Sequence, residues 1–375
     1  MDDVIRVSES ATACGRRFAI ATLNAPASLN ALSLAMVDVL QARLTQWATD
    51  PEIVAVVLEG AGDKAFCAGG DLRDLYQSIQ DCGSETNPYA KEFFAREYRL
   101  DYLIHTYSKP LLCWGHGIVM GGGMGLMAGA SHRVVTERTR MAMPEVGIGL
   151  FPDVGGSWFL NRAPGRTGLF LALTGAPLNA ADALFAGLAD FHLPHASRAA
   201  LLEAMASAQW QGQAAADKRL LTHLIEAQAA PPPGAPSESS ASHLRANLDA
   251  ITALIGHDAL TDIAERLRAA AGSDSWLGKA AANFANGSPT SAALACTLLQ
   301  RTRHLSLREV FQMELDAALG CCAHHDFAEG IRALLIDKDR RPVWQPAQLA
   351  DVTDALIADH FKSRHAGANP LADLR

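Results

Sequence analysis

The sequence predicts an α/β protein whose C-terminal part is helical. Three observations carry that expectation. Short β-branched runs alternate with amphipathic stretches up to about residue 200, the pattern turns almost wholly helical after residue 165, and two glycine-rich loops follow directly on predicted strands. A chain of 375 residues is long for one core, so roughly two domains are expected. The change of pattern suggests an α/β part at 1–200 and a helical part at 201–375.

The elements follow in order. "RRFAIATLN" (Arg16–Asn24) reads as a strand ending in an Asn-Ala-Pro turn. "SLAMVDVLQARLTQW" has apolar residues at helical spacing, with Ser33 as its N-cap. "EIVAVVLEG" is a continuous apolar run suited to a buried strand, and "KPLLCWGHGIV" and "HRVVTE" give two more short strands. "NPYAKEFFAREYRLDYLIHTYS" has the period of an amphipathic helix, as do "RTGLFLALTG" and "NAADALFAGLAD". "AQAAPPPGAPSESSAS" (Ala227–Ser242) is a low-complexity Pro/Ser stretch that reads as a linker. No internal repeat is evident.

Composition excludes several classes. About half the residues are apolar and a fifth charged, as in well-packed globular proteins. A formal charge of −8, with no basic cluster among aromatics, argues against nucleic acid and anionic membranes as partners. No apolar run reaches the ~18 residues of a membrane span. "MDDVIRVSES" lacks the apolar core of a secretory signal. Seven scattered cysteines read as reduced thiols, and a cytoplasmic location is expected.

The chemistry concentrates in "MPEVGIGLFPDVGGS" (Met143–Ser157). Its only charges are Glu145 and Asp153, set among apolar residues, four glycines and two prolines. A carboxyl in apolar surroundings has a raised pKa and suits proton transfer near neutral pH. The loops "KAFCAGGDL" (Lys64–Leu72) and "HGIVMGGGMGL" (His116–Leu126) supply the complement. Glycine lets a backbone approach a ligand closely, and the first N–H groups of a helix lack intrahelical partners. Two such loops can aim N–H groups at one oxygen, forming an oxyanion hole. Gly123, Gly125 and Ala128 also satisfy a dinucleotide-binding spacing, but "HRVVTE" follows too soon for the required βαβ unit.

In their order along the chain, "LNAPASLNALS", "KAFCAGGDL", "HGIVMGGGMGL" and "MPEVGIGLFPDVGG" resemble the crotonase (enoyl-CoA hydratase/isomerase) superfamily. The resemblance implies a spiral of ββα units with a helical C-terminal region. It implies that the Gly70 and Gly122 amides hold the thioester oxygen of an acyl-CoA, with Ala68 near the adenine end of CoA. Hydratases of the superfamily pair the glutamate at position 145 with a second one where this chain has Gly125. Its dienoyl-CoA isomerases share the aspartate at 153 but also carry an acid at 125. Glu145 with Asp153 and a bare Gly125 resembles instead the branch that hydrolyses 3-hydroxyisobutyryl-CoA in valine breakdown. "EFFAREYRL", "NGSPTSAALA" and "HDFAEGIRALLIDKDRRPVWQP" extend that likeness over nearly the whole chain. It implies that Glu145 and Asp153 are catalytic and that Glu97 reads the substrate hydroxyl. Glu145 is expected at the centre, as nucleophile or as base on water. An enoyl-CoA hydratase or isomerase is the alternative. No cofactor is implied, since CoA is part of the substrate. Trimers or hexamers are the superfamily's assemblies.

Other readings compete for some residues. Glu97, between Arg96 and Arg99 on an amphipathic helix, also suits an exposed salt bridge. "GCCAHHDF" (Gly320–Phe327) has ligand-type residues without zinc spacing, so no metal site is expected and a helix start is read there. Cys67 reads as packing, and His116 as a hydrogen-bonded structural histidine.

Overall fold

The computed structural model describes residues 4–83, 87–229, 241–256, 259–365 and 367–375. Most of the Pro/Ser stretch therefore lies outside the described residues. Among the described residues nine strands form two sheets: β1 (Ile5–Ala11), β2 (Arg17–Leu23), β3 (Ile53–Gly60), β4 (Ala65–Cys67), β5 (Leu111–Gly115), β6 (Ile118–Met120), β7 (His132–Val135), β8 (Arg140–Ala142) and β9 (Phe191–His192). The larger sheet runs β1-β2-β3-β5-β7-β9 and the smaller β4-β6-β8. Only the β1–β2 pair of the larger sheet is antiparallel; Ile5 lies opposite Leu23 there. Strand pairs β3/β4, β5/β6 and β7/β8 each place one strand in the large sheet and the next in the small one. A helix or helical turn follows each pair, which is the ββα spiral expected.

Local sequence accounts for these elements. β3 is buried along almost its whole length, as a central parallel strand flanked on both faces requires. The helix Leu34–Thr49 starts where Ser33 accepts a hydrogen bond from Met36 N at 3.3 Å. "KPLLCWGHGIV", read as one strand, is two strands in different sheets. The break falls at Gly117 (φ +59°), where a Cβ would lie 2.2 Å from Lys64 O. β1 was not anticipated. Its "IRVSESA" is mostly exposed at a sheet edge and carries too few apolar residues to announce a strand.

The chain divides into two compact units built from alternating segments: 1–70, 100–141 and 178–242 in the first, and 71–99, 142–177 and 243–375 in the second. The strands lie in the first unit, apart from Ala142 at the end of β8. Its core packs Phe18, Val57, Leu112, Trp114 and Val134 of the sheet against Leu201, Met205, Leu221 and Ile225 of the helices Arg198–Ser207 and Ala214–Gln228. Burying each such side chain contributes about 1.5–3 kcal/mol. The second unit is helical. In it a ladder of rings runs Phe93, Phe94, Tyr98 and Phe311, with successive centroids 5.5, 5.7 and 5.8 Å apart. After β9 the described residues contain no further strand.

Candidate active site

Glu145 opens a short helical turn, Glu145–Ile148, which Gly149 closes in the left-handed conformation. The turn is seated on the helix His325–Ile331. A Cβ on Gly149 would lie 2.2 Å from Asp326 O, and one on Gly330 2.3 Å from the Ile148 carbonyl carbon. Val146 O accepts from Ser288 N at 2.9 Å, and Ser288 Oγ donates to Asp326 at 2.5 Å. These contacts fix where the Glu145 side chain starts. Its Oε2 is buried and has no hydrogen-bond partner among the described residues.

Asp153 sits in the loop before the helix Gly156–Leu160. Its neighbour Val154 has φ +52°, a costly conformation for a β-branched residue. Glu314, fully buried on the helix Leu307–Ala323, accepts hydrogen bonds from Gly155 N at 2.8 Å and Ser157 N at 2.9 Å. That double contact clamps the strained loop. Glu314→Ala is expected to leave two buried amides unpaired, at about 1–3 kcal/mol each. The melting temperature should fall by several degrees, with a parallel loss of turnover as Asp153 shifts. Calorimetry and rate measurement check this, and an unchanged melt would mean the loop is held by other contacts.

Glu97 lies on the helix Pro88–His105 and is buried, so the exposed salt-bridge reading fails for it. Its neighbours make those bridges instead: Arg96 pairs with Glu92 at 2.8 Å and Arg99 with Asp373 at 2.7 Å. Tyr98, next along the helix, donates its phenol to Asp153 Oδ2 at 2.7 Å. Glu97, Glu145, Asp153 and Glu314 are each 5% exposed or less. Burial pushes Glu97 and Glu145 well above the usual carboxylate range, and the charge of Asp153 raises both further. Burial also raises Asp153, but the Tyr98 hydrogen bond offsets part of this and leaves it at about 6. Glu314 is pushed up to about 8, burial outweighing its two amide donors. The second unit thus gathers Glu97, Glu145 and Asp153 into one electrostatically linked group. Sequence reasoning missed Tyr98 and Glu314. Their signal was helical spacing, since Phe94–Tyr98 and Phe311–Leu315 mark the buried faces on which they lie.

Lys64–Gly70 of the first glycine loop and the whole of the second belong to the first unit. Ala68 follows β4 and donates its N–H to Leu29 O at 3.1 Å, while Gly70 bridges to Leu32. Gly122 begins the helix Gly122–Ala128, whose first intrahelical bonds run from Met124 N and Gly125 N to Gly121 O. The two loops adjoin. A Cβ on Gly123 would lie 2.4 Å from Cys67 O, and one on Gly69 3.9 Å from Gly122 N. Gly125 is buried within that helix and offers no carboxyl. Cys67 is buried packing, and His116 Nε2 lies 2.7 Å from Gly62 O. "GCCAHHDF" spans the end of one helix and the start of the next rather than a single helix start. There His324 Nδ1 contacts Gly320 O at 2.9 Å, whereas His325 Nε2 contacts Val343 O at 2.8 Å, so the two rings serve different partners.

Comparison with known proteins agrees with this architecture. The family model described as enoyl-CoA hydratase/isomerase matches residues 18–361. A curated Danio rerio protein named 3-hydroxyisobutyryl-CoA hydrolase, mitochondrial, is 39% identical over 352 residues, covering 92% of this chain and 87% of its own. The Homo sapiens protein of that name is 36% identical over 344 residues, covering 92% and 86%. A solved structure described as a carnitinyl-CoA dehydratase from Mycobacterium thermoresistibile matches with a TM-score of 0.84 at 36% identity, covering 96% of this chain and 97% of its own. One described as an enoyl-CoA hydratase from Rhodobacter sphaeroides 2.4.1 gives 0.81 at 34% identity, with the same coverage. With the ββα spiral, the helical C-terminal region and a family match over most of its length, this chain belongs to the enoyl-CoA hydratase/isomerase family of the crotonase superfamily.

Proposed function

We propose that this protein hydrolyses a short 3-hydroxyacyl-CoA thioester, with 3-hydroxyisobutyryl-CoA as its substrate, a reaction of valine degradation. The observation that carries the reading is the carboxyl set: Glu145 and Asp153 buried in one charge-linked group with Glu97, and glycine at position 125. The curated relatives bearing the hydrolase name support it. Hydrolysis builds negative charge on the thioester oxygen, which the Gly70 and Gly122 amides stabilise; one such donor contributes ~3 kcal/mol in the transition state. Glu145 and Asp153 divide the proton transfers of water activation and thiolate release. Glu97 reads the 3-hydroxyl, and Ala68 lies toward the adenine end of CoA. CoA enters as part of the substrate, and no separate cofactor takes part.

Trimers or hexamers are the assemblies this reading favours. A reducing compartment, the cytoplasm, suits seven cysteines that are all free thiols; the curated relatives carry "mitochondrial" in their names. Among the described residues no helix is long and apolar enough to cross a membrane.

A hydratase or isomerase is the second reading, favoured by the names of the solved structures. A paired assay separates the two: free-thiol release from 3-hydroxyisobutyryl-CoA, and loss of the enoyl absorbance of crotonyl-CoA. The expected result is rapid thiol release without enoyl loss. Enoyl loss without thiol release would replace hydrolysis with hydration.

A further inference from the structure

The stretches "NGSPTSAALA" and "HDFAEGIRALLIDKDRRPVWQP" lie far along the chain from Glu145, yet both meet at its turn. Gly287 packs on Val146: a Cβ there would lie 3.0 Å from Val146 Cγ2 and 3.2 Å from Val146 O. Ser288, next along, donates its N–H to Val146 O at 2.9 Å. Its hydroxyl accepts from Ser291 N at 3.0 Å, capping the helix Pro289–Thr302, and gives its own proton to Asp326 Oδ2 at 2.5 Å. An aspartate in the first turn of a helix is ordinary. Asp326 differs because neither oxygen serves its own helix: Oδ2 takes Ser288, and Oδ1 accepts from Gln345 N at 2.8 Å. Its carbonyl oxygen meanwhile lies against Gly149, the residue that closes the Glu145 turn. One buried residue thus joins that turn, the start of the helix Pro289–Thr302 and the segment at Gln345, all within the second unit.

We propose that Asp326 is a positioning residue for Glu145, holding the turn from which that side chain starts through Ser288 and through its own carbonyl. The need for one follows from Glu145 itself. Its Oε2 is buried without a partner among the described residues, so no hydrogen bond fixes that oxygen. The direction of the carboxyl is then inherited from the backbone of the turn, and an error there passes on to the reacting atoms. The turn has few bonds of its own. It spans four residues, and Gly147 N to Pro144 O and Leu150 N to Glu145 O, at 2.9 and 3.0 Å, are local bonds that do not anchor it to the rest of the unit. The anchor is the Ser288 amide on Val146 O, and Asp326 holds the Ser288 side chain. Without the Asp326 carboxylate, the Ser288 hydroxyl and the Gln345 amide both lose their acceptor, and the start of the helix is free to carry Val146 with it. The inference rests on the hydrolase reading only for the rate that tests it. Whether Glu145 attacks the thioester or activates water, the same placement is required.

Asp326→Ala should lower kcat for thiol release about a hundredfold, the scale on which a misplacement near 1 Å acts, with KM within about threefold. Asp326→Asn keeps the shape, an acceptor for Gln345 N and an amide that can donate to Ser288 Oγ, so it should recover most of the rate. If Asp326→Ala does not fold, Ser288→Ala carries the test, with an expected loss of about tenfold in kcat. Each variant is repeated in Glu145→Gln, where a residue acting only through Glu145 has nothing left to position and the further loss should be under about threefold. A full loss repeated in that background, a loss carried by KM, or an unchanged rate in Ser288→Ala overturns the proposal. Crystal structures of the wild type and Ser288→Ala separate it from the hydrolase reading. A Glu145 carboxyl that stays within about 0.5 Å of its wild-type place overturns the positioning role whatever the rates. A displaced carboxyl, in a protein whose wild type releases no thiol, supports the positioning role and refutes the hydrolase reading instead.

Discussion

Glu145→Gln should lower thiol release by about three orders of magnitude or more while leaving the protein folded. Glutamine has the size of glutamate but can neither give nor take the proton, and it is no nucleophile. A single acid or base typically contributes 10²–10⁴-fold, and groups that act as a unit lose most of their joint effect when one is removed. The fall should appear in kcat, with KM within a few-fold, because the side chain acts on the reacting atoms. Stability should hold. The buried Oε2 has no partner among the described residues, so the glutamine forfeits no hydrogen bond there. Steady-state rates and a thermal melt on one preparation decide the matter. A loss under tenfold would remove Glu145 from the centre of the reaction.

The second large effect is expected from a single methyl group in the first unit. In Gly123→Ala the new Cβ would stand 2.4 Å from Cys67 O and 3.1 Å from the Cys67 carbonyl carbon, backbone contacts that cannot swing away. The helix Gly122–Ala128 must back off from β4, and the Gly122 amide moves with it. Overpacking of this kind costs about 1–3 kcal/mol. A shift near 1 Å in a group that stabilises the transition state can cost about a hundredfold in rate. Gly272→Ala is the control, since no atom lies within 4 Å of its Cβ position. If Gly123→Ala lowers the melt but leaves kcat intact, the Gly122 amide is not a donor to the thioester oxygen.

Much of the fold was legible because local pattern and tertiary role coincide. β3 is apolar throughout because it is buried throughout, and the helix Leu34–Thr49 announces itself through Ser33. β1 was illegible for the opposite reason: at an exposed edge, backbone pairing with β2 defines the strand, and its side chains carry no pattern. The break in "KPLLCWGHGIV" depends on Lys64, more than fifty residues earlier, against whose carbonyl Gly117 packs. At the site, Glu145 and Asp153 stood out as charges in apolar sequence. Tyr98 and Glu314 did not, since a tyrosine among phenylalanines and a glutamate on a helix are ordinary. What marks them is position: Glu314 shares a face with Phe311, Leu315 and Ala318, where a charge must find donors. The same test applied to Glu97, one residue from Tyr98, would have decided against the salt bridge.

The alternation of segments between the two units also sets an order of events during synthesis. The first unit has its last segment once residue 242 has left the ribosome, whereas the second needs residues 243–375. At about 5–20 residues per second that tail takes roughly seven to twenty-seven seconds to arrive. For roughly the first half of this interval Glu97, Glu145 and Asp153 have already been made, but Glu314 and the helix that seats the Glu145 turn have not. The acids meant for a dry pocket spend that time without their final neighbours, and their ordinary acidity gives way to the shifted one only when the tail folds over them. A chain stopped early can complete a sheet and its covering helices, yet it has no means of assembling its chemistry.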